Sequence, residues 1–258
     1  MKKVKDMLIA LVQTAIKDFD IESNLRYFTK ICKDISSEVE WIILPEMFIT
    51  GFVADTSLSI QSKAKGLEFM RNLSKQKECG VEGSLMVEED GKYYNRHYLI
   101  TDTAEFMYDK QKLFSLSKEA EALCAGNKEC IARLGDYNVS LRTCYDLRFA
   151  DICKNGYSNG RFKYDIMTFV ASWPKSRSEQ WKILLKARAI ENMCYVIGVN
   201  RVGKDANGLE YVGESCVINS KGEELKPLEN STQEILYYDI SKEYLDSMRK
   251  KFPVYMDW

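Results

Sequence analysis

Apolar runs of strand length alternate with helical periodicity along most of the chain. Met7–Gln13 and Trp41–Leu44 are runs that predict buried strands. Between them, Leu25, Phe28, Cys32 and Ile35 recur at three- and four-residue intervals, which predicts a helix capped by Ser23. Val81–Glu88 and Tyr93–Ile100 flank Asp90-Gly91 and read as a hairpin. Phe106–Tyr108 is short and strand-like, and Asn138–Thr143 alternates polar and apolar residues. Asp165–Ser172 and Cys194–Asn200 are further buried runs, with a helical pattern from Ser178 to Asn192 between them. The end turns antiparallel. Tyr211–Asn219, a turn at Lys221-Gly222 and Glu234–Ile240 read as strands, and Ser241 caps a last helix to Lys250.

Alternating strands and helices with hairpins mixed in predict an α/β fold, with mixed sheets and helices outside. Four prolines, no Ser/Gly-rich stretch and no repeat of 20–50 residues leave no linker, so residues 1–258 read as one domain. Met1-Lys2-Lys3-Val4-Lys5 followed by an apolar run imitates a signal peptide. The run is short, however, and no small-residue cleavage site closes it, so a buried first strand is expected. No segment approaches the roughly 18 apolar residues of a membrane span, and a cytoplasmic protein is expected.

Charge changes little in this picture. With 37 Lys+Arg against 38 Asp+Glu, nothing calls for a nucleic acid or an anionic membrane as partner. The cysteines and histidine say more. There are eight cysteines, no C-x-x-C pair and a single histidine, His97, so His-rich zinc and iron sites and zinc ribbons are excluded. A chain this long buries a core without disulfides, so most of the thiols read as small hydrophobes. His97 alternates within a predicted strand and reads as structural. The basic run Arg249-Lys250-Lys251 reads as the solvated last turn of a helix, which the helix dipole favours.

Three polar residues stand where strands are predicted to end. Glu46, in Leu44-Pro45-Glu46-Met47-Phe48, sits at the mouth of a buried strand, where ligands gather in α/β sheets and desolvation suits a carboxylate to general-base work. Cys144, in Arg142-Thr143-Cys144-Tyr145-Asp146-Leu147-Arg148-Phe149, lies between a strand and a helix, an elbow that exposes a nucleophile to helix N-terminal amides. Lys110, in Tyr108-Asp109-Lys110-Gln111-Lys112-Leu113-Phe114, is placed to stabilise an oxyanion. Taken singly, each has a plainer reading as a loop glutamate, a packing cysteine or a surface lysine.

Together, in this order and in these local sequences, they resemble the Glu-Lys-Cys motifs of the carbon–nitrogen hydrolase (nitrilase) superfamily. Arg188-Ala189-Ile190-Glu191-Asn192 and Gly213-Glu214-Ser215 extend the resemblance over essentially the whole chain. Within it, Glu46–Phe52, Ser172-Trp173-Pro174, Asn200-Arg201-Val202-Gly203 and Lys251-Phe252-Pro253 are similar to the bacterial omega-amidases, which remove the terminal amide of 2-oxoglutaramate or 2-oxosuccinamate. Two positions depart from the pattern. Lys112 stands where a His is usual, and Ser172 where an Asn commonly precedes Trp-Pro.

The resemblance implies a four-layer αββα sandwich, paired through outer helices into a homodimer that the Phe252-Pro253 tail joins. It implies Glu46 as base, Lys110 and the Tyr145 backbone N–H as oxyanion donors, and Cys144 as nucleophile. It also implies a second glutamate, Glu119 by alignment on Gly126, with Glu121 competing for the role. Phe48 and Trp173 are candidates for the pocket wall, or for core. The substrate would be a small amide attacked through a thioester that water resolves, with no metal or organic cofactor. Another amidase or an N-carbamoyl amidohydrolase of the superfamily is the alternative. A non-catalytic scaffold of the same fold is a third reading, against which the intact Glu46, Lys110 and Cys144 argue.

Overall fold

The computed structural model describes residues 6–227, 230–232 and 235–258; the predicted strand start at Glu234 lies outside them. Sixteen strands and six helices are named in chain order. They are β1 (Met7–Val12), α1 (Ile21–Lys33), β2 (Trp41–Ile43), α2 (Ser59–Lys77), β3 (Gly80–Glu89), β4 (Lys92–Ile100), β5 (Glu105–Asp109), α3 (Glu119–Ala122), β6 (Ile131–Leu134), β7 (Tyr137–Thr143) and α4 (Ala150–Cys153). There follow β8 (Tyr157–Ser158), β9 (Arg161–Phe162), β10 (Ile166–Ala171), α5 (Ser178–Asn192), β11 (Tyr195–Asn200), β12 (Val202–Lys204), β13 (Glu210–Val212), β14 (Cys216–Ile218), β15 (Asn230–Thr232), β16 (Ile235–Ile240) and α6 (Lys242–Lys251).

Two mixed sheets carry the fold. One runs β15-β16-β1-β2-β3-β4-β5, with β1, β2 and β3 parallel and hairpins at its far end. The other runs β14-β11-β10-β7-β6, with β7, β10 and β11 parallel. Strand alternation gives each sheet two apolar faces, and three separate cores follow. Ile9, Leu11, Trp41, Ile43 and Leu99 of the first sheet meet Val139, Leu141, Ile166, Ile197 and Val217 of the second. Ala10, Val12, Ile42 and Val81 face the opposite way, against Phe28 of α1 and Leu67, Met70 and Leu73 of α2. Met167, Phe169 and Val196 pack under Trp181, Leu185 and Ala189 of α5. The layer order is therefore helix, sheet, sheet, helix, the α/β sandwich expected.

Several local expectations are corrected. The cap of α1 is Asp20, whose carboxylate accepts the Ser23 N–H at 3.0 Å; Ser23 lies inside the helix. Helix α2 has no counterpart in the periodicity analysis, because its buried stripe is built largely of Ser59, Ser62, Gly66 and Ser74 and is weakly apolar. The predicted strand Tyr211–Asn219 is broken into β13 and β14. Gly213 (φ 72°) and Glu214 (φ 58°) are left-handed, and the Gln13 side chain sits where a Cβ at position 213 would be.

His97 is structural, as read, and wholly buried: Nε2 lies 2.8 Å from the Glu82 carboxylate. Arg249 is not solvated. Its guanidinium donates to Asp165 at 2.6 Å and to the carbonyls of Met193 and Tyr164 at 2.9 Å, with its plane over the Phe162 ring. All eight cysteines are free. Burial pushes the thiols of Cys32 and Cys79 up to about 12 and those of Cys130 and Cys153 to about 11, as packing residues should be. Among the described residues no helix is long and apolar enough to cross a membrane.

Burial works against the Asp165 charge, but Lys242 and Arg249 outweigh it and hold its pKa below the ordinary aspartate value. The stabilisation from this cluster is thus present above that value and lost as the pH falls. Replacing Arg249 by Ala leaves Asp165 short of a partner and should cost about 3–5 kcal/mol, the scale for a broken buried ion pair. Urea denaturation of the variant checks this; a loss under 1 kcal/mol contradicts the buried role.

Candidate active site

The three strand-end residues come from different strands in two sheets, and the sandwich brings them to one place. Leu44 still pairs with the first sheet, its N–H bonding to the Glu82 carbonyl at 2.8 Å. The chain then turns through Met47 (φ 46°), whose N–H is held by Ser84 Oγ at 2.9 Å. This puts Glu46 inward at the mouth of β2, fully buried. Lys110 follows β5, tied by its N–H to the Asn95 carbonyl and by its own carbonyl to Gly126 N–H. A Cβ on Gly126 would lie 2.3 Å from the Asp109 carbonyl oxygen, so only glycine fits there.

Cys144 directly follows β7 and opens a 3-10 helix, Cys144–Arg148. Its φ of 44° is left-handed, a conformation that costs an L-residue of order 1–3 kcal/mol and persists only where its surroundings impose it. Asp146 supplies much of that constraint. Its buried carboxylate accepts Thr143 N–H at 2.9 Å, Lys112 N–H at 2.9 Å and Tyr108 O–H at 2.8 Å, locking the elbow to the lysine loop. Tyr145 occupies the second position of the short helix, where a backbone N–H has no partner within the helix.

At the centre, Lys110 Nζ donates to Glu119 at 2.7 and 2.9 Å and to Glu46 Oε1 at 3.1 Å. Glu119 is held in turn by Phe114 N–H at 2.7 Å, whereas Glu121 is exposed, so of the two glutamates it is Glu119 that meets Lys110. Glu46 also accepts Asn95 Nδ2 on Oε1 and Ser172 N–H on Oε2, both at 2.8 Å.

Burial raises the Glu46 pKa above the ordinary carboxylate value, and the Glu119 charge adds to this against the pull of Lys110. Burial would release the Lys110 proton, but Glu119 and Glu46 outweigh it and keep the ammonium charged. Burial and the Glu46 charge push the Cys144 thiol well up, so it rests as a thiol beside a base.

Lys110, Glu119 and Cys144 open into a cavity of about 640 Å³, lined also by Phe52, Phe114, Tyr145 and Trp173 among others. Trp173 stands in the wall as one of its two readings expected; its indole N–H bonds to the Arg177 carbonyl at 2.8 Å. Phe48 does not line the cavity. It packs in the outer core against Phe28 and Phe69, with ring centroids 5.2 and 5.7 Å away, because left-handed Met47 turns the chain between it and Glu46.

Periodicity missed Phe52, Asn95, Asp146 and Asn200. Asn200 clamps the Trp173 backbone, accepting its N–H at 2.8 Å and donating to its carbonyl at 2.9 Å. A polar side chain in an otherwise buried strand or strand end was the available signal for Asn95, Asp146 and Asn200. Of the two departures, Lys112 keeps its loop anchored through its backbone bond to Asp146, while its ammonium lies over the Phe149 ring. Ser172 leaves a buried Oγ without a partner among the described residues.

The carbon–nitrogen hydrolase family model matches residues 8–250. The chain belongs to the carbon–nitrogen hydrolase family. This hydrolase is 34% identical over 251 residues to omega-amidase YafV of Escherichia coli strain K12, covering 96% of this chain and 95% of the relative. It is 28% identical to 2-oxoglutaramate amidase of Bacillus subtilis strain 168, with 86% of each covered. In structure it resembles XC1258 of Xanthomonas campestris, a CN-hydrolase superfamily protein with an arsenic adduct in its active site. The TM-score is 0.92 at 30% identity, covering 99% of this chain and 98% of that one. The hydrolase is an amidase by family, and its sandwich is the superfamily's.

Proposed function

We propose that this hydrolase removes the terminal amide of a small omega-amide 2-oxo acid, 2-oxoglutaramate or 2-oxosuccinamate, through a thioester on Cys144. The observation that carries the reading is the convergence of a buried thiol and a charged ammonium in the lining of one cavity, with the Glu46 carboxylate, its pKa raised by burial, bonded to that ammonium. Similarity to enzymes named for omega-amides supports the substrate class.

Glu46 takes the thiol proton as sulfur attacks the amide carbon. Burial raises both groups, which leaves the carboxylate a workable base for a thiol in this site. The oxyanion forms between Lys110 and the Tyr145 N–H. The ammonium, which donates to Glu46 and to both oxygens of Glu119, stabilises it through its positive charge, and the Tyr145 N–H through a hydrogen bond, a contribution of roughly 3–4 kcal/mol per donor in measured systems. Glu119 keeps Lys110 charged and aimed. Glu46 then passes its proton to the departing ammonia, and a water deprotonated by the same carboxylate attacks the thioester and releases the acid.

The cavity is roomier than a five-carbon substrate requires, which favours a longer omega-amide such as deaminated glutathione as the second reading. Side-by-side rates on the two separate the readings. Pairing into a homodimer is proposed alongside. Phe252 and Met256 are strongly exposed beside an aromatic cluster of Tyr157, Phe162, Tyr255 and Trp258, and Ile183 and Ile190 are exposed on α5. An apolar surface of this kind marks an interface, and isologous pairing is the commonest arrangement.

Replacing Cys144 by Ala should abolish ammonia release from 2-oxoglutaramate; unchanged turnover would sink the assignment. In the wild type the rate should fall with decreasing pH through a pKa above the ordinary glutamate value of about 4.3, because only ionised Glu46 accepts the proton. A rate flat to pH 4 would contradict Glu46 as base. Sedimentation at micromolar concentration should give the mass of two chains; a monomer removes the dimer.

A further inference from the structure

The two oxygens of the Glu46 carboxylate are not equally engaged. Oε1 accepts Asn95 Nδ2 at 2.8 Å and Lys110 Nζ at 3.1 Å, which occupies both of its lone pairs. Oε2 accepts the Ser172 N–H at 2.8 Å, one bond against two. The oxygen with capacity to take a proton is therefore the one beside Ser172. Glu46 is wholly buried and does not line the cavity, whereas Ser172 and Cys144 both do.

Ser172 directly follows β10 and brings a second polar group to this place. The residue is 6% exposed, and its Oγ is buried without a partner among the described residues. The adjacent strand end has nothing to offer it, because Asn200 spends its side chain on the Trp173 N–H and on the carbonyls of Trp173 and Gly213. Asn95 Oδ1 is also unpartnered, but Asn95 does not line the cavity. Among the described residues, Ser172 alone both lines the cavity and holds a buried side-chain polar atom without a partner. A buried hydroxyl is costly when unpaired, so such a group marks a place where a water or a ligand completes the bonding.

We propose that the Ser172 hydroxyl positions the hydrolytic water against Glu46 Oε2 in the second half of the reaction. The assignment rests on the thioester reading and adds a positioning residue to it. A water that gives one proton to the base needs an acceptor for its other hydrogen if its lone pair is to face the thioester carbon, and a serine hydroxyl supplies one. One O–H bond of the water breaks and its proton passes to Oε2, while the oxygen bonds to the thioester carbon. The C–S bond then breaks, and the sulfur of Cys144 recovers the proton from Glu46.

Ser172→Ala removes the hydroxyl and keeps the backbone N–H on Glu46, whereas Ser172→Thr keeps both. At a fixed concentration of hydroxylamine, the ratio of hydroxamate to acid reads the water step against aminolysis, whichever step limits turnover. That ratio should rise about 10-fold in the Ala variant, the worth of one hydrogen bond, and return toward the wild-type value in the Thr variant. The kcat/KM for ammonia release, set before water enters, should stay at the wild-type value. An unchanged ratio in the Ala variant overturns the proposal, and a lower kcat/KM at that unchanged ratio is what a merely structural serine would give.

The ratio is read on 2-oxoglutaramate and on deaminated glutathione, so that failure of one substrate leaves the comparison intact. Acid-quenched protein weighed by mass spectrometry gives a second measurement, and the Ala variant should hold more acyl-enzyme in the steady state than the wild type. Hydroxamate formed equally by the wild type and the Ala variant removes the role of Ser172 and leaves the thioester standing. Wild-type protein that turns over an amide and forms no hydroxamate removes the thioester and the role of Ser172 together.

Discussion

One ammonium shared by two carboxylates, sealed from water, is the interaction on which the rest depends. Lys110, Glu46 and Glu119 are essentially without solvent contact. An unpaired charge there would neutralise itself, whereas the cluster holds one positive and two negative groups in fixed contact. Burial raises the proton affinity of Glu46 and the Glu119 charge adds to it against the larger pull of Lys110, while Glu119 and Glu46 together keep Lys110 charged. The proposed chemistry needs no imidazole, and the single histidine serves as a core residue against Glu82.

The sandwich exists, in functional terms, to hold those charges. Glu46 and Lys110 come from the first sheet and Cys144 from the second, so the apolar layer between the sheets sets their separation. Packed interiors deform little. Polar links then pin each loop: Asn95 and the Ser172 N–H on Glu46, Asp146 across the elbow and the lysine loop, and Asn200 on the Trp173 backbone. The left-handed φ of Cys144 is held by the same frame.

The strand ends were legible in the sequence because buried strands are short apolar runs, and the polar residue that terminates one is conspicuous. Glu46, Lys110 and Cys144 stand out this way, the order of their motifs joins them, and alignment on Gly126 adds Glu119. What escaped depended on contacts between distant segments. Phe48 is two residues from Glu46, yet a single left-handed residue turns it into a different core. Arg249 sits in a basic run that reads as solvated, and only the approach of β10 to α6 reveals Asp165 as its partner. Helix α2 mixes Leu67, Met70 and Leu73 with serines and a glycine on its buried face, which weakens the apolar signal of the helix as a whole.

A covalent intermediate on Cys144 is the proposed step, and its partition between water and hydroxylamine tests the central claim most directly. With 2-oxoglutaramate as substrate, a Cys144 thioester predicts that added hydroxylamine diverts product from the acid to the hydroxamate, with none formed by the Cys144→Ala protein. Ammonia released at the full rate with no hydroxamate at any hydroxylamine concentration would mean direct attack by water, and would contradict the account.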